Sequence, residues 1–157
     1  LPAALRCQYL THGISSLSSI GDGQVGFSFS HAVIQHLPLQ EFDTFAQELY
    51  RVTMPGGTSS HVVDFRDMLQ RSLNHLRFSE RVWESPLFAK SGFYTNRLRL
   101  SQIELAFRKV GFDVQIPERT RWEAMPLPRR ALNRQFRAMD DDDLLTRGAH
   151  LVLHKPA

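Results

Sequence analysis

The spacing of apolar residues predicts a strand, a helix and a second strand in the middle of the chain. Residues 25–29 (VGFSF) have the composition of a strand. From Pro38, whose missing N–H costs nothing in the first turn of a helix, apolar residues recur at helical spacing. These residues are Leu39, Phe42, Phe45, Ala46 and Leu49. We expect Pro55-Gly56-Gly57 to end the helix and turn the chain, and residues 60–65 to form a buried strand paired in parallel with the first.

The pattern elsewhere predicts three more strands, a second long helix and a less regular segment. The strands are expected at residues 5–10, 112–116 and 150–154, the last of them antiparallel to the one before it. A capping box at residues 101–104 predicts a helix that ends at Gly111. Residues 67–98 are rich in aromatic and hydrogen-bonding side chains, so we expect them to cover the carboxyl edge of the sheet, with a helix near 68–76. A basic amphipathic helix is expected at 131–139.

The composition is that of a single globular domain. Its 157 residues are 42% hydrophobic, and its formal charge of +3 comes from basic residues scattered along the chain. Scattered charge indicates an ordinary surface and argues against a nucleic-acid partner. Cys7 is the sole cysteine, which excludes an internal disulfide and predicts a reducing, cytoplasmic location. No apolar run approaches the roughly 20 residues of a membrane span, and no signal peptide is recognisable; the lack of an initiator Met indicates a fragment.

Polar side chains follow both strands of the predicted parallel pair. Ser30 and His31 come after the first strand, and Asp64 and Arg66 end the second. Ligands of open α/β sheets bind outside the carboxyl ends of the strands, so we expect these two groups to lie side by side at a binding site. His61 and Asp64 are three residues apart in one strand and therefore face opposite sides. This arrangement argues against a shared metal ion, and no metal is expected.

Two stretches of the sequence resemble one protein family. FSFSHAVIQHLPLQEFDTFAQELYRVTMPGG and, beyond an intervening strand, RLSQIELAFRKVGFDVQI resemble class I S-adenosylmethionine-dependent methyltransferases. The resemblance runs from about Gln8 to Lys155 and corresponds to the carboxyl-terminal part of that fold, from its third strand onward. It implies one partial methyltransferase domain over residues 1–157. Its α/β fold would have a Rossmann-like sheet, mostly parallel with an antiparallel final strand, and the amino-terminal part of the fold would be missing.

The resemblance also implies a cofactor, S-adenosyl-L-methionine, and a role for each candidate residue. The candidates form three groups: cofactor-binding His12, Ser30 and His31; catalytic His36, from the family's xHL motif, and Asp64; and substrate-binding His61, Arg66, Tyr94, Asn96 and Arg97. Methyl transfer from a sulfonium mainly requires alignment, and a general base is needed only where the acceptor must lose a proton. The implied reaction is O-methylation of a small molecule or sugar. Because the family's glycine-rich cofactor loop would precede Leu1, we expect weak cofactor binding by this chain alone.

Each of these assignments has an alternative. His36 at an apolar helix start is equally typical of a hydrogen-bonded packing residue, and Asp64 at a strand end is also typical of a helix cap. Tyr94, Asn96 and Arg97 either hold an acceptor or fasten the cover segment. The alternative functions are a non-catalytic interaction module and a nucleic-acid-binding domain. A sheet without its central strands exposes an edge, which predicts pairing with a second copy of the chain.

Overall fold

The computed structural model describes residues 7–157, which form one four-stranded sheet and several helices. The strands are β1 (Val25–His31), β2 (Thr53–Asp64), β3 (Asp113–Arg121) and β4 (Thr146–His154). The α-helices are α1 (Phe42–Val52), α2 (Glu80–Trp83), α3 (Pro86–Ala89), α4 (Leu100–Val110), α5 (Arg134–Arg137) and α6 (Asp141–Leu145). Short 3-10 helices occupy Gly13–Ser19, Ile34–His36, Leu39–Glu41, Asn74–Arg77 and Arg129–Ala131. Over the described residues, no helix is both long enough and apolar enough to cross a membrane.

The sheet is mixed, with the strand order β1-β2-β4-β3. β1 and β2 pair in parallel through α1, which confirms the predicted strand–helix–strand unit. β4 is antiparallel to β3, as predicted, and it also pairs antiparallel with β2. The final strand therefore inserts between β2 and β3. The expectation of a mostly parallel sheet was wrong for this part of the chain, because only one of its three strand pairings is parallel.

One face of the sheet is covered by α1 and α4. The apolar stripe of α1 packs with the buried side of α4 and with alternate residues of the strands in a single core. Its largest members include Phe42, Leu49, Val63, Ile103, Phe107, Leu151 and Leu153. The periods of 3.6 in the helices and of two in the strands bring these residues to the same layer. The sequence pattern predicted the two helices of this layer but not the place of β4 in the sheet beneath them.

The opposite face of the sheet carries exposed aromatic residues; we call it the open face. Phe27 and Phe29 of β1 are 61% and 77% exposed, and their rings stack with centroids 6.2 Å apart. Alternation along the paired strands places Ser60, Val62 and Asp64 of β2 on this face as well. No second helix layer covers the two phenylalanines within residues 7–157.

The cover segment, residues 67–98, folds around Trp83 rather than around a long helix. Trp83 is fully buried, stacks against Phe78 and Phe88 at 5.5 and 5.1 Å, and donates its indole N–H to the carbonyl of Thr95 at 2.7 Å. The helix expected near residues 68–76 is absent, and turns followed by the 3-10 helix Asn74–Arg77 take its place. The basic helix expected at 131–139 is likewise reduced to a 3-10 turn and α5.

Two local predictions failed, the first because tertiary pairing overrode a turn signal. α1 ends at Val52, and Pro55-Gly56-Gly57 lies inside β2, where the register against β1 shifts between Val25/Thr53 and Phe27/Thr58. Backbone bonds of 2.9 and 3.0 Å join Gly56 and Gly57 to Lys155, so the turn residues form a bulge in the sheet. Of the strand predicted at 5–10, residues 7–10 have no regular structure, and residues 5 and 6 lie outside the described chain.

The second long helix, α4, begins differently from the prediction and ends as predicted. Its cap is Arg99, whose backbone N–H donates to Gln102 Oε1 at 3.0 Å. Ser101 lies inside the first turn, and its hydroxyl donates to the carboxylate of Asp143, so the proposed Ser–Glu box does not form. Gly111 has the left-handed conformation expected at the end of the helix, with φ of 114°.

Replacing Gly111 with alanine is expected to destabilise the fold by about 2–3 kcal/mol. An added Cβ would lie 2.9 Å from the ring of Tyr50, which packs edge-on against Phe112 and lies beneath the Lys155 ammonium. Gly56→Ala is the matched control, because Gly56 also has positive φ, at 75°, but open space around its Cβ position. Urea denaturation should show a loss of about 1 kcal/mol for the control. Equal losses in both variants would contradict a role for the Tyr50 contact.

Candidate functional site

The carboxyl ends of β1 and β2 lie side by side, as the sequence predicted. Ser30 is paired in register with His61 and His31 with Val62, and the N–H of Ala32 donates to the carbonyl of Val62 at 2.8 Å. The backbone pairing thus continues one residue past the end of β1. It brings His31 next to the end of β2, where Asp64 and Arg66 follow.

A cavity of about 310 Å³ lies on the open face at this end of the sheet; we call it the sheet-face cavity. Its charged and imidazole side chains are His31, Asp64, Arg66, Glu118, Arg147 and His150. Register explains the space, because Gly148 lies between Asp64 and Thr120 across the strands and contributes no side chain. The volume falls at the lower end of the range for small-molecule sites, roughly 300–1,000 Å³.

Asp64 and Arg66 form a paired unit at the mouth of β2. The Arg66 guanidinium donates to the Asp64 carboxylate at 2.9 and 2.6 Å, and the Arg66 backbone N–H donates to the same group at 3.0 Å. Burial tends to raise the pKa of Asp64, but the Arg66 side chain and backbone N–H outweigh it and lower the pKa below its usual value. The alternative of a helix cap was wrong, because Asp64 closes a local turn and no helix begins in residues 65–73. At neutral pH Asp64 is therefore a fixed carboxylate and a weak base.

Ser30 and His61 point to the other face of the sheet. Ser30 Oγ lies 2.8 Å from His61 Nδ1, and Ser59 Oγ lies 2.7 Å from His61 Nε2. The imidazole of His61 is 3% exposed and stacks on Phe107 with a centroid distance of 6.1 Å. Burial, with a smaller effect from the charge of His150, lowers the pKa of His61 to about 4. His61 and Asp64 therefore face opposite sides, as their spacing predicted, and neither Ser30 nor His61 lines the sheet-face cavity.

His36 and Tyr94 join the chain after β1 to the cover segment. His36 is exposed, and its Nδ1 lies 2.9 Å from the carbonyl oxygen of Tyr94. A carbonyl can only accept, so Nδ1 carries the proton in the neutral ring, and Nε2 is an acceptor without a hydrogen-bond partner among residues 7–157. The Tyr94 hydroxyl donates to Glu84 at 2.8 Å and accepts from the Leu39 N–H at 3.1 Å. Burial, and then the bond to Glu84, raises the pKa of Tyr94 well above its usual value.

Asn96 and Arg97 are buried in the cover segment. The Asn96 amide donates to the carbonyls of Ile34 and Leu37 at 2.8 and 3.2 Å. Arg97 has φ of 64°, donates to the Phe78 carbonyl at 2.8 Å and lies over the rings of Trp83 and Phe136. Tyr94 and Asn96 thus use their polar side-chain groups to fasten the cover to residues 34–39. This arrangement fits the alternative that they hold the cover in place.

The remaining candidate, His12, lies apart from these residues. It is exposed, directly precedes the 3-10 helix Gly13–Ser19, and donates its backbone N–H to Ser16 Oγ at 3.0 Å. It does not line the sheet-face cavity. Its predicted role with the cofactor therefore stays a prediction.

Three lining residues that sequence reasoning did not single out come from β3 and β4. Glu118 and His150 are paired in register across these strands, and His150 Nε2 lies 2.8 Å from Ser60 Oγ on β2. Arg147 lines the same cavity. Alternation along residues 150–154 (HLVLH) indicates that His150 lies on the face opposite the leucines. Only the insertion of β4 beside β2 brings that face to the cavity. Over residues 7–157, no three His, Cys, Asp or Glu side chains form a metal-binding group.

Comparison with known proteins gives matches at the level of structure. The fold matches an S-adenosylmethionine-dependent methyltransferase from Methanosarcina mazei with a TM-score of 0.56, at 14% identity and over 88% of this chain. The chain has a methyltransferase-like fold. An S-adenosylmethionine-dependent methyltransferase from Archaeoglobus fulgidus matches with a TM-score of 0.52, at 13% identity over 92% of this chain. Phosphoethanolamine N-methyltransferase 2 of Haemonchus contortus, solved with S-adenosyl-L-methionine, matches with a TM-score of 0.52, at 18% identity over 88% of this chain.

The methyltransferase-like fold of this chain corresponds to only part of each of these proteins. The chain covers 62% of the Methanosarcina protein, 66% of the Archaeoglobus protein and 35% of the Haemonchus protein. No family model matches the sequence, and no curated protein matches it. The resemblance inferred from the sequence is therefore confirmed for the fold.

Proposed function

We propose that this chain forms part of an S-adenosylmethionine-dependent methyltransferase that methylates a hydroxyl group of a small molecule or sugar. The observation that carries the proposal is the adjacency of the two strand ends, which brings His31 and Asp64 into one cavity on a methyltransferase-like fold. The cavity combines two carboxylates, Asp64 and Glu118, with two arginines, Arg66 and Arg147, so it offers hydrogen-bond acceptors and donors to a polar ligand. When bound, the cofactor supplies a methyl group that is already activated for displacement.

His36 is the proposed proton acceptor; it lies in the 3-10 helix after β1 and does not line the sheet-face cavity, so an acceptor would have to extend from the cavity to reach it. A hydroxyl must lose its proton as its oxygen bonds to the methyl carbon and the carbon–sulfur bond breaks, so a base helps this reaction. The bond from His36 Nδ1 to the Tyr94 carbonyl orients the ring and leaves Nε2 able to take that proton. Asp64, held as a carboxylate by Arg66, is better suited to accept a hydrogen bond from a hydroxyl of the acceptor or of the cofactor ribose.

The first test is calorimetric titration with S-adenosylhomocysteine, the product form of the cofactor. We expect little or no heat with these 157 residues and clear binding by a longer chain in which a segment with a glycine-rich cofactor loop is added ahead of Leu1. The reason is that the family's glycine-rich loop, which approaches the cofactor with its backbone N–H groups, is not among these 157 residues. The titration uses matched concentrations, and far-ultraviolet circular dichroism checks that both chains are folded.

A second candidate function is favoured by the open face. Stacked, exposed Phe27 and Phe29 on an edge strand are typical of a surface that another protein segment covers. A non-catalytic methyltransferase-like interaction module would use this surface without binding cofactor. Absence of heat in both chains would contradict the methyltransferase proposal and favour the module.

A further inference from the structure

A second, much smaller cavity lies where the cover segment meets the ends of β1 and β2; we call it the mouth cavity. It is lined by Gln35 after β1, by Asp64 and Arg66 at the end of β2, by His75, and by residues 95–98 of the cover. The space in which the centre of a water molecule can lie is about 10 Å³. That is the space that one water requires.

Four of the residues that line this cavity each carry a buried polar side-chain atom without a hydrogen-bond partner among residues 7–157. These atoms are Gln35 Oε1, His75 Nδ1, Thr95 Oγ1 and Arg97 Nε. Asp67 Oδ2 is 3.8 Å from His75 Nδ1, which is beyond hydrogen-bond distance but close enough for an electrostatic interaction. Gln35 is the most exposed of these residues, at 7%. An unpaired buried polar group costs roughly 1–3 kcal/mol, so four of them around one cavity need an explanation.

The chemistry of the wall restricts what fits there. A metal cation is disfavoured because the Arg97 guanidinium already brings a positive charge to the cavity. An anion is disfavoured because the Asp64 carboxylate lines the same space and Gln35 Oε1 can only accept. The lining residues instead offer one hydrogen-bond donor, Arg97 Nε, and one acceptor, Gln35 Oε1. Thr95 Oγ1 and His75 Nδ1 can each either donate or accept. A small neutral molecule that both donates and accepts satisfies this set.

We propose that the mouth cavity binds one water molecule that fastens the cover segment to the strand ends. The water donates to Gln35 Oε1 and accepts from Arg97 Nε, and it takes its remaining partners from Thr95 and His75. It reinforces a direct backbone bond, from the Asn96 N–H to the Gln35 carbonyl at 2.8 Å, that already joins the same two segments. This site is independent of methyl transfer, since it requires only that the cover is closed over β1 and β2.

The sign of a stability change tests the proposal. Thr95→Val keeps the shape of the side chain and removes its hydroxyl. If water is bound, the variant loses a hydrogen bond, and its Tm should fall by roughly 2–4 °C. If the cavity is dry, removing an unpaired hydroxyl should leave Tm unchanged or raise it, which would overturn the proposal. Thr44→Val is the matched control, because Thr44 is exposed on α1 and should tolerate the change.

A crystal structure of the chain supplies a second, independent measurement. Electron density for an ordered water is expected within roughly 2.7–3.2 Å of both Gln35 Oε1 and Arg97 Nε. The Thr95→Val crystal should show this peak weakened or displaced. An empty cavity in a map that resolves other buried waters would overturn the proposal, whatever the Tm values.

Discussion

Replacing Arg99 with methionine is expected to destabilise the protein by about 3–5 kcal/mol. Arg99 is completely buried at the start of α4, where its guanidinium donates to the carbonyls of Phe65 and Asp143 at 2.9 Å and to that of Thr146. Methionine has a similar length but no donor, so three buried carbonyls would lose a partner. Burial lowers the pKa of Arg99 to about 10, which still leaves the side chain charged at neutral pH.

Urea denaturation of the Arg99→Met variant measures this loss directly. The loss would be a large part of the 5–15 kcal/mol that typically separates folded and unfolded domains. Arg130→Met is the control, because Arg130 is exposed and its replacement should change stability by less than about 0.5 kcal/mol. A loss below 1 kcal/mol for Arg99→Met would show that the three carbonyls find other partners.

Arg99 also links the stability of the fold to the candidate site. Its Phe65 contact lies one residue after Asp64, and its contacts with Asp143 and Thr146 hold the turn from α6 into β4. The position of the Asp64–Arg66 pair therefore depends on a residue outside the cavity. An arginine just before an apolar helix is an unremarkable signal in a sequence, because most such residues are exposed.

Local patterns predicted the elements whose interactions are local. The apolar stripe of α1 and the parallel pairing of β1 and β2 follow from periodicity and chain direction. The opposite orientations of His61 and Asp64 follow from the two-residue period of a strand. Gly111 ends α4 as expected because a left-handed residue is needed there whatever surrounds it.

Long-range pairing determined what the sequence pattern missed. Pro55-Gly56-Gly57 has the composition of a turn, but its bonds to Lys155, about 100 residues later, make it a bulge of β2. Ser101 has the spacing of a capping residue, but Asp143 binds its hydroxyl. His150 and Glu118 reach the sheet-face cavity only because β4 inserts between β2 and β3. No spacing along the chain encodes that strand order.

Acid is expected to destabilise the protein between about pH 6.5 and pH 4, through two buried histidines. Burial lowers the pKa of His61 to about 4, and the charge on His150 adds to the effect. Burial also lowers the pKa of His75 to about 4; Asp67 opposes this shift, whereas the charges of Arg99 and Arg97 reinforce it. In this window the unfolded chain binds more protons than the folded one, so stability rises with pH.

Each buried, neutral histidine contributes its full stabilisation above pH 6.5, the pKa of histidine in the unfolded chain. This contribution is lost as the pH falls towards 4, and the loss is roughly 3 kcal/mol for each histidine. Free energies of unfolding measured in urea at pH 7, 6, 5 and 4.5 should reveal this slope. The double variant His61→Gln/His75→Gln should flatten it even if its absolute stability is lower, whereas His154→Gln, at an exposed position, should leave it intact. Asp67 does not confound the comparison, because its lowered pKa affects stability only below about pH 4. An unchanged slope in the double variant would show that other groups cause the acid sensitivity.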